Sequence, residues 1–454
     1  FDPDLLRRYD KAGPRYTSYP TAVQFYEGFG DQDYRQLAQA SNASERPLSL
    51  YFHIPFCDTV CFYCACSKII TNNRKRAIPY LERLHREIEL QGRLLDDHRP
   101  VRQLHWGGGT PTFISHQQMR ELMDITGEHF RLLDDDSGEY SIEVDPREAD
   151  PATIALLREL GFNRLSMGVQ DFDERVQRAV NRIQPREVTL AALEAARREG
   201  YKSISVDLIY GLPHQSVASF SRTLEEIIDV SPDRLSVFNY AHLPQMFKVQ
   251  RQIDPAALPA PAEKLAILQL VIQRLTGAGY VYIGMDHFAK PDDELARAQR
   301  AGTLYRNFQG YSTHAHCDLL AFGMTAIGMV GDSYSQNAKT LDGYYAALDA
   351  GRLPVFRGVI LDQDDKLRRA VITRLLCNFV LDFGAVEAEF GLDFESYFAL
   401  ELAELAAMAR DGLLELDRDG IRVLPAGRLL IRNICMTFDR YLRRQEEGRF
   451  SRVI

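Results

Sequence analysis

The sequence predicts an α/β fold of parallel strands alternating with helices, followed by a smaller, mostly helical domain. Three observations predict it. From about residue 48 to residue 242, short apolar runs alternate with amphipathic stretches of helix length. Polar or glycine residues recur at one end of successive runs. After Leu353-Pro354 the pattern changes to helices and a hairpin.

Candidate strands cover residues 48–54, 101–106, 140–144, 164–169, 204–209 and 235–240. The first, ending His53-Ile54-Pro55, is an apolar run of the kind buried on both faces. Leu81, Leu84 and Ile88 line one face of a helix before the second strand. Successive strand–helix units predict right-handed crossovers, giving an open doubly wound sheet or a partial barrel. Either architecture gathers its chemistry at the C-terminal strand ends. Residues 254–261, rich in Pro and Ala, read as a linker. A helix follows with Leu265, Leu268, Ile272 and Leu275 in phase and Gly277 beyond its end. Helical segments from about Asp364 lead to a hairpin over 412–423 around an Asp419-Gly420 turn, suggesting a winged-helix-like domain. The expected domains are 1–47, 48–353 and 354–454.

At 454 residues the chain can bury a large core and carry an accessory domain. Its 45% hydrophobic and 26% charged content is ordinary for a globular protein. A net charge of −9 and a pI near 5.7 argue against nucleic acid as the main partner. There is no apolar run long enough to span a bilayer and no secretory pattern. The chain begins at Phe1 and not at Met, so trimming or processing is expected. Cys317, Cys377 and Cys435 are scattered and read as small hydrophobes. A disulfide framework is not expected, and a reducing, cytoplasmic compartment is.

The remaining cysteines, Cys57, Cys61, Cys64 and Cys66, crowd the loop after the first strand. Zinc would accept four thiolates, but structural zinc sites usually draw on two separated pairs. A fully ligated cluster could recruit Cys66, at the cost of straining the loop between Cys64 and Cys66. Three thiolates at spacings of four and three fit best as corners of a cubane with one open iron, able to do chemistry on a bound molecule. Other residues fall at neighbouring strand ends: Gly107-Gly108-Gly109-Thr110, Glu143 with Asp145, Gln170 with Asp171, and Asp207. That convergence describes a single site.

The spacing Cys57-x-x-x-Cys61-x-x-Cys64, with Tyr63 before the third cysteine, resembles the radical S-adenosylmethionine superfamily. Tyr51-Phe-His-Ile-Pro-Phe-Cys57, Cys66 and Trp106-Gly-Gly-Gly-Thr-Pro-Thr112 narrow the likeness. So do Ile142-Glu-Val-Asp-Pro146, Gly168-Val-Gln-Asp-Phe172, Gly284-Met-Asp-His-Phe288 and Asn307-Phe-Gln-Gly-Tyr311. Together they resemble the oxygen-independent coproporphyrinogen III oxidase (coproporphyrinogen dehydrogenase) family, from Gly13-Pro-Arg-Tyr-Thr-Ser-Tyr-Pro20 into the C-terminal domain.

The resemblance implies a partial (β/α)6 TIM-like barrel carrying one [4Fe–4S] cluster on Cys57, Cys61 and Cys64. It implies S-adenosylmethionine on the open iron, reductively cleaved to a 5′-deoxyadenosyl radical. That radical attacks a propionate, which loses carbon dioxide and an electron to become vinyl. Two rounds convert coproporphyrinogen III to protoporphyrinogen IX, with a low-potential electron donor of flavodoxin or ferredoxin type and a monomer as the default state. The first S-adenosylmethionine would meet Tyr51, Tyr63, Gly108, Glu143 and Ile327. A second would meet Gly109, Thr110, Gln170, Arg182, Asp207 and Ala241, with Phe308 and Gln309 nearby. Without the resemblance, Arg182 reads equally as a helix-surface arginine, and Ala241 and Ile327 as core. Cys66 would be a free thiol needed for activity but not a cluster ligand; haem chaperones on the same barrel generally lack it. Arg15, Tyr16 and Tyr19 resemble a segment that covers the active site, where Arg15 would pair with a propionate or simply face solvent. His314 and His316, with Cys317, could suggest metal binding, but three ligands so close on one loop rarely satisfy tetrahedral geometry, and they read as pocket-lining groups able to carry protons.

The leading expectation is thus a radical-type decarboxylase. A haem chaperone is the second, and a cluster-bearing regulator contacting DNA through the winged-helix-like end is the third, disfavoured by the acidic balance.

Overall fold

The computed structural model describes residues 2–9, 11 and 13–444. It divides into two compact units, one of residues 25–274 and 316–360, the other of residues 1–24, 275–315 and 361–454.

The first unit is built on β1 (Leu48–Ile54), β2 (Val101–Gly108), β3 (Glu139–Val144), β4 (Arg164–Gln170), β5 (Ser203–Tyr210) and β6 (Arg234–Asn239). Each pairs in parallel with its successor. The crossovers carry α1 (Ala77–Gly92), α2 (His116–His129), α3 (Pro151–Glu159), α4 (Arg186–Arg198) and α5 (Val217–Val230). This is the partial (β/α) barrel arrangement. Local chemistry sets the helix starts. Ser115 and Ser216 each close a capping box, and Asp150 caps α3 ahead of Pro151 at its first turn. Beyond β1, the strand β7 (Asp318–Phe322) also runs parallel, then β8 (Ile327–Val330), β9 (Ser333–Asn337) and β10 (Val355–Ile360) continue as an antiparallel meander.

Alternation along the strands separates two surfaces. Leu50, Phe52, Leu104, Trp106, Ile142, Leu165, Met167, Val206, Leu208, Leu235 and Val237 are buried. The intervening positions are largely polar: the register sets Tyr51 beside His105, His105 beside Ser141, Glu143 beside Ser166, and Asp207 beside both Gly168 and Ser236. One face is therefore oil, and the other is a row of hydrogen-bonding groups.

The second unit buries a core from Tyr16 and Tyr19 through Ile283, Leu304, Leu375, Cys377, Phe394, Leu405, Ile434 and Phe438. Helices Gln363–Asn378, Phe383–Phe390, Ala399–Arg410 and Ile431–Thr437 accompany a three-stranded sheet with Gly420–Val423 at its centre, between Val380–Asp382 and Leu414–Leu416. This is a winged-helix-like arrangement. The turn of its hairpin is Asp417–Asp419, not Asp419-Gly420. The Asp417 carboxylate accepts the Asp419 and Gly420 amides, so the tight turn sits earlier and Gly420 begins the strand. Gly277 is the last residue of the helix Pro261–Gly277 and not beyond it. Among the described residues no helix is long and apolar enough to cross a membrane.

Candidate active site

The cysteine loop leaves the barrel at the end of β1. Phe56–Cys57 pairs in parallel with Ile69–Ile70, so both ends of the loop are pinned together. Inside it, Cys64 N–H donates to the Cys61 carbonyl (3.1 Å), and Lys68 Nζ donates to the Cys64 carbonyl (2.9 Å). From outside, Phe62 N–H reaches the Val180 carbonyl, Asn181 donates to the Val60 carbonyl (2.8 Å) and Gln250 to the Tyr63 carbonyl (3.1 Å). The loop is held by its backbone, which frees the sulfurs for a ligand.

Each thiol of the expected triad has a different neighbour. Thr110 Oγ1 lies 3.6 Å from Cys57 Sγ. Cys61 Sγ faces two guanidiniums, Arg182 Nη1 at 3.7 Å and Arg147 Nη2 at 3.9 Å. Cys64 is bonded to the Cys66 thiol, which with Lys68 pulls its proton affinity down against burial, while that bond and burial push Cys66 up. Burial pushes Cys57 up to about 11. Cys66 is exposed and free of any disulfide. A set of three thiols on one anchored loop, with cationic groups at hand to offset an anionic cluster, fits a [4Fe–4S] group.

Gly107-Gly108-Gly109 passes directly over the approach to that loop. A Cβ on Gly109 would lie 2.6 Å from the Pro55 carbonyl oxygen and 2.7 Å from that of Phe56. Gly108 has φ +123°, and its N–H donates to Glu143 Oε2 (3.2 Å). Glu143 is 48% exposed along its side chain, so the carboxylate remains open to a ligand. Burial raises its proton affinity, but the His105 ring, the Gly108 amide and His53 outweigh it, and the group is held as an anion.

Tyr51 stacks on His105 with ring centroids 5.8 Å apart. Its hydroxyl donates to His53 Nδ1 (3.1 Å), because His53 Nε2 is committed to the Ser67 carbonyl (3.0 Å), and burial keeps that ring neutral. Tyr63 packs beside Val176, Val180, Tyr240 and Ile253, with its hydroxyl bonded to Cys61. Arg182 is not on a helix surface. It is buried in the loop after the helix Glu174–Ala179, donating to Asp145 (2.9 Å) and the Gly168 carbonyl (2.6 Å), with its Nε unpartnered. Gln170 ends β4 in the left-handed region (φ +70°), and its Oε1 is buried without a partner, a strained and unsatisfied group of the sort found at ligand sites. Asp207 is lifted to about 6 by burial, despite the Ser236 and Ser166 hydroxyls, with the like charge of Glu143 adding to the rise. Ile327 is half-buried and Ala241 exposed, neither one a core position.

The other unit holds the remaining expected residues apart from His316. Arg15 pairs with Asp286 (2.7 Å). Tyr16 and Tyr19 are core side chains there: Tyr16 donates to Asp439 (3.0 Å), and Tyr19 accepts from the Arg440 amide (3.1 Å). Gln309 Nε2 is buried without a partner beside Phe308. His314 is half-buried and His316 exposed, at the passage of the chain from one unit to the other.

Sequence reasoning passed over His105, Arg147 and Asn239. His105 shares the inward row with Tyr51, Arg147 follows Asp145 by two residues, and Asn239 ends β6 with a buried, unpartnered Oδ1. The strand-end rule already reached the places of Arg147 and Asn239, whereas His105 lies inside β2.

A parallel partial barrel with three such thiols after its first strand defines a radical S-adenosylmethionine enzyme, and the Radical SAM superfamily model matches residues 51–227. A second model, the HemN C-terminal domain, matches residues 361–430. The oxygen-independent coproporphyrinogen III oxidase of Pseudomonas aeruginosa is 58% identical over 454 residues, covering 100% of this chain and 99% of its own. That of Escherichia coli K12 is 52% identical, covering 100% and 98%. A solved structure of coproporphyrinogen III oxidase (HemN) from Escherichia coli, described as a radical SAM enzyme, superposes with a TM-score of 0.93 at 51% identity, over 97% of this chain and 99% of that one. The chain belongs to the oxygen-independent coproporphyrinogen III oxidase family.

Proposed function

We propose that this protein oxidatively decarboxylates two propionate side chains of coproporphyrinogen III to vinyl groups without oxygen, giving protoporphyrinogen IX in haem biosynthesis. The observation that carries the reading is full-length likeness, 58% over 454 residues, to an enzyme of that name in a chain whose barrel presents three anchored thiols. Cys57, Cys61 and Cys64 would hold one [4Fe–4S] cluster. When bound, the cluster and S-adenosylmethionine supply the one-electron chemistry that removes hydrogen from an unactivated carbon.

The chain's own residues bind and orient. Glu143, kept anionic, would accept hydrogen bonds from the amino group or ribose hydroxyls of the cofactor. Tyr51 and Tyr63 would offer ring surface, and Gly108 and Ile327 a close wall. Tyr51, through neutral His53, ties the inward row to Ser67 and so to the cysteine loop. A second S-adenosylmethionine would take Gly109, Thr110, Gln170, Arg182, Asp207 and Ala241, with Phe308 and Gln309. The unpartnered atoms of Gln170 and Arg182 support that site, since both are ready-made for a polar ligand. Cys66 would remain a free thiol close to the chemistry, and His314 and His316 would serve the tetrapyrrole. A low-potential donor of flavodoxin or ferredoxin type, a cytoplasmic setting and a monomeric state complete the proposal.

Anaerobic assay of the reconstituted protein tests it. Two S-adenosylmethionine molecules consumed per protoporphyrinogen is the expected result. Cofactor cleavage without release of carbon dioxide from coproporphyrinogen III would sink the substrate assignment.

A further inference from the structure

Arg306 lies on the strand Tyr305–Asn307, directly across from Tyr311 on the strand Gly310–Ser312. It is 7% exposed, yet its Nε and Nη1 are buried with no hydrogen-bond partner. Its guanidinium lies over the Tyr311 ring, 4.8 Å from the centroid. The Tyr311 hydroxyl is also buried and unpartnered, as is Gln309 Nε2 in the turn joining the two strands. Tyr311 is seated over Gly284, where a Cβ would fall 2.6 Å from the hydroxyl and force it away.

Cations in the same unit are accounted for differently. Arg15 is paired with Asp286, and Arg432 gives its hydrogens to the carbonyls of Gly13 and Pro14. Arg306 alone of these three has neither a carboxylate nor a carbonyl. An unpaired buried guanidinium is among the most costly groups a protein can hold, and stacking on one tyrosine offsets little of that cost. The cost disappears if an anion joins it. A planar carboxylate suits the fork of donors that Arg306 offers over the Tyr311 ring.

We infer that Arg306 and Tyr311 form a carboxylate-binding subsite that takes a propionate of the tetrapyrrole substrate. The inference rests on the function proposed above, whose substrate carries such groups. A second source of carboxylate is S-adenosylmethionine itself. Its expected contacts, Phe308 and Gln309 aside, lie in the unit that bears the cysteine loop, whereas Arg306 shares its unit with Arg15, the other arginine expected at a propionate.

The test uses the full-length protein, reconstituted anaerobically, with coproporphyrin III and its tetramethyl ester as fluorescent probes. Wild type should bind the acid well and the ester poorly. Arg306→Leu should weaken binding of the acid by roughly tenfold to a hundredfold, the share of one charge-assisted pair. Arg306→Lys should lose less and Tyr311→Phe a few-fold, with the ester and S-adenosylmethionine affinities unchanged in every variant. The thermal midpoint of Arg306→Leu should stay level or rise, because no partner is stranded; a structural arginine would lower it. Unchanged acid affinity in both Arg306→Leu and Tyr311→Phe would overturn the inference. Loss of S-adenosylmethionine binding with porphyrin binding intact would overturn it too, moving the carboxylate to the cofactor. Failure of wild type to bind either tetrapyrrole is a separate result, and it strikes the proposed function itself.

Discussion

Glu87 on α1 accepts the Tyr344 hydroxyl at 2.6 Å, a buried bond to the helix Leu341–Asp349 that joins β9 to β10. The same carboxylate takes the Gly323 amide (2.8 Å) and the Asn337 side chain (2.7 Å), fixing the turn that leads from β7 into Ile327. Burial lifts its pKa from 4.5 to about 7, against the pull of those donors. The folded carboxyl therefore keeps its proton up to about pH 7, while the unfolded one releases it near 4.5. Native stability should fall as pH rises through that window, by about 3 kcal/mol from this residue. Glu87→Gln removes the titration, so its stability deficit relative to wild type should shrink between pH 4.5 and 7. Urea unfolding of both proteins across that range checks it, and a constant gap would refute it.

Arg147 and Arg182 both face Cys61 and both bind Asp145, at 2.7 and 2.9 Å. Two cations and one anion leave a net positive charge beside the Cys61 sulfur, a proposed cluster ligand. Positive charge and hydrogen bonds to sulfur favour the reduced, more negative cluster. Arg147→Ala should therefore make the cluster harder to reduce. A tenfold change in that one-electron equilibrium corresponds to about 59 mV. Redox titration followed by electron paramagnetic resonance reads the shift, and a midpoint that stays put or rises would count against the charge argument.

The strands were legible because β1 to β6 carry apolar runs separated by helix-length segments, while the choice between an open sheet and a barrel came only with the family resemblance. Their ends, with Cys57, Gly108, Glu143, Gln170 and Asp207, are where the sequence places the candidate site. What escaped was what depends on register and long-range partners. His105 gains meaning only from pairing beside Tyr51. Arg147 was passed over and Arg182 read equally as a helix-surface charge; the fold brings both to one sulfur, from the end of β3 and the loop after the helix Glu174–Ala179. Nor does the sequence show why Gly109 is glycine: the space a side chain would need is filled by the carbonyls of Pro55 and Phe56. Tyr16 and Tyr19 carry no local sign of their burial, which arises from residues some four hundred positions away.

The four motif cysteines should divide three to one. Cys57→Ser, Cys61→Ser and Cys64→Ser should each lose most of their iron and the sulfide-to-iron absorbance. Cys66→Ser should keep both, since Cys66 stands exposed beside the triad and touches it only through Cys64. Iron content and the reduced-cluster resonance decide it, and a Cys66→Ser protein without a cluster would make Cys66 a ligand after all.

Gly109→Ala tests the close passage of β2's end over the cysteine loop. The added methyl would meet two carbonyl oxygens at 2.6 and 2.7 Å, and neither can swing aside as a flexible side chain could. Relief requires the chain to separate, breaking the Gly109 N–H to Ile54 bond (2.9 Å) and the Thr110 N–H to Phe56 bond (2.8 Å). The expected cost is about 1–3 kcal/mol, and because the displaced backbone leads straight into Cys57, cluster loading should fall with it. Gly277→Ala is the control: a Cβ there meets nothing within 4 Å, and helix propensity favours alanine. Loss of iron in Gly109→Ala at a thermal midpoint matching wild type would place the effect on a ligand contact and not on packing.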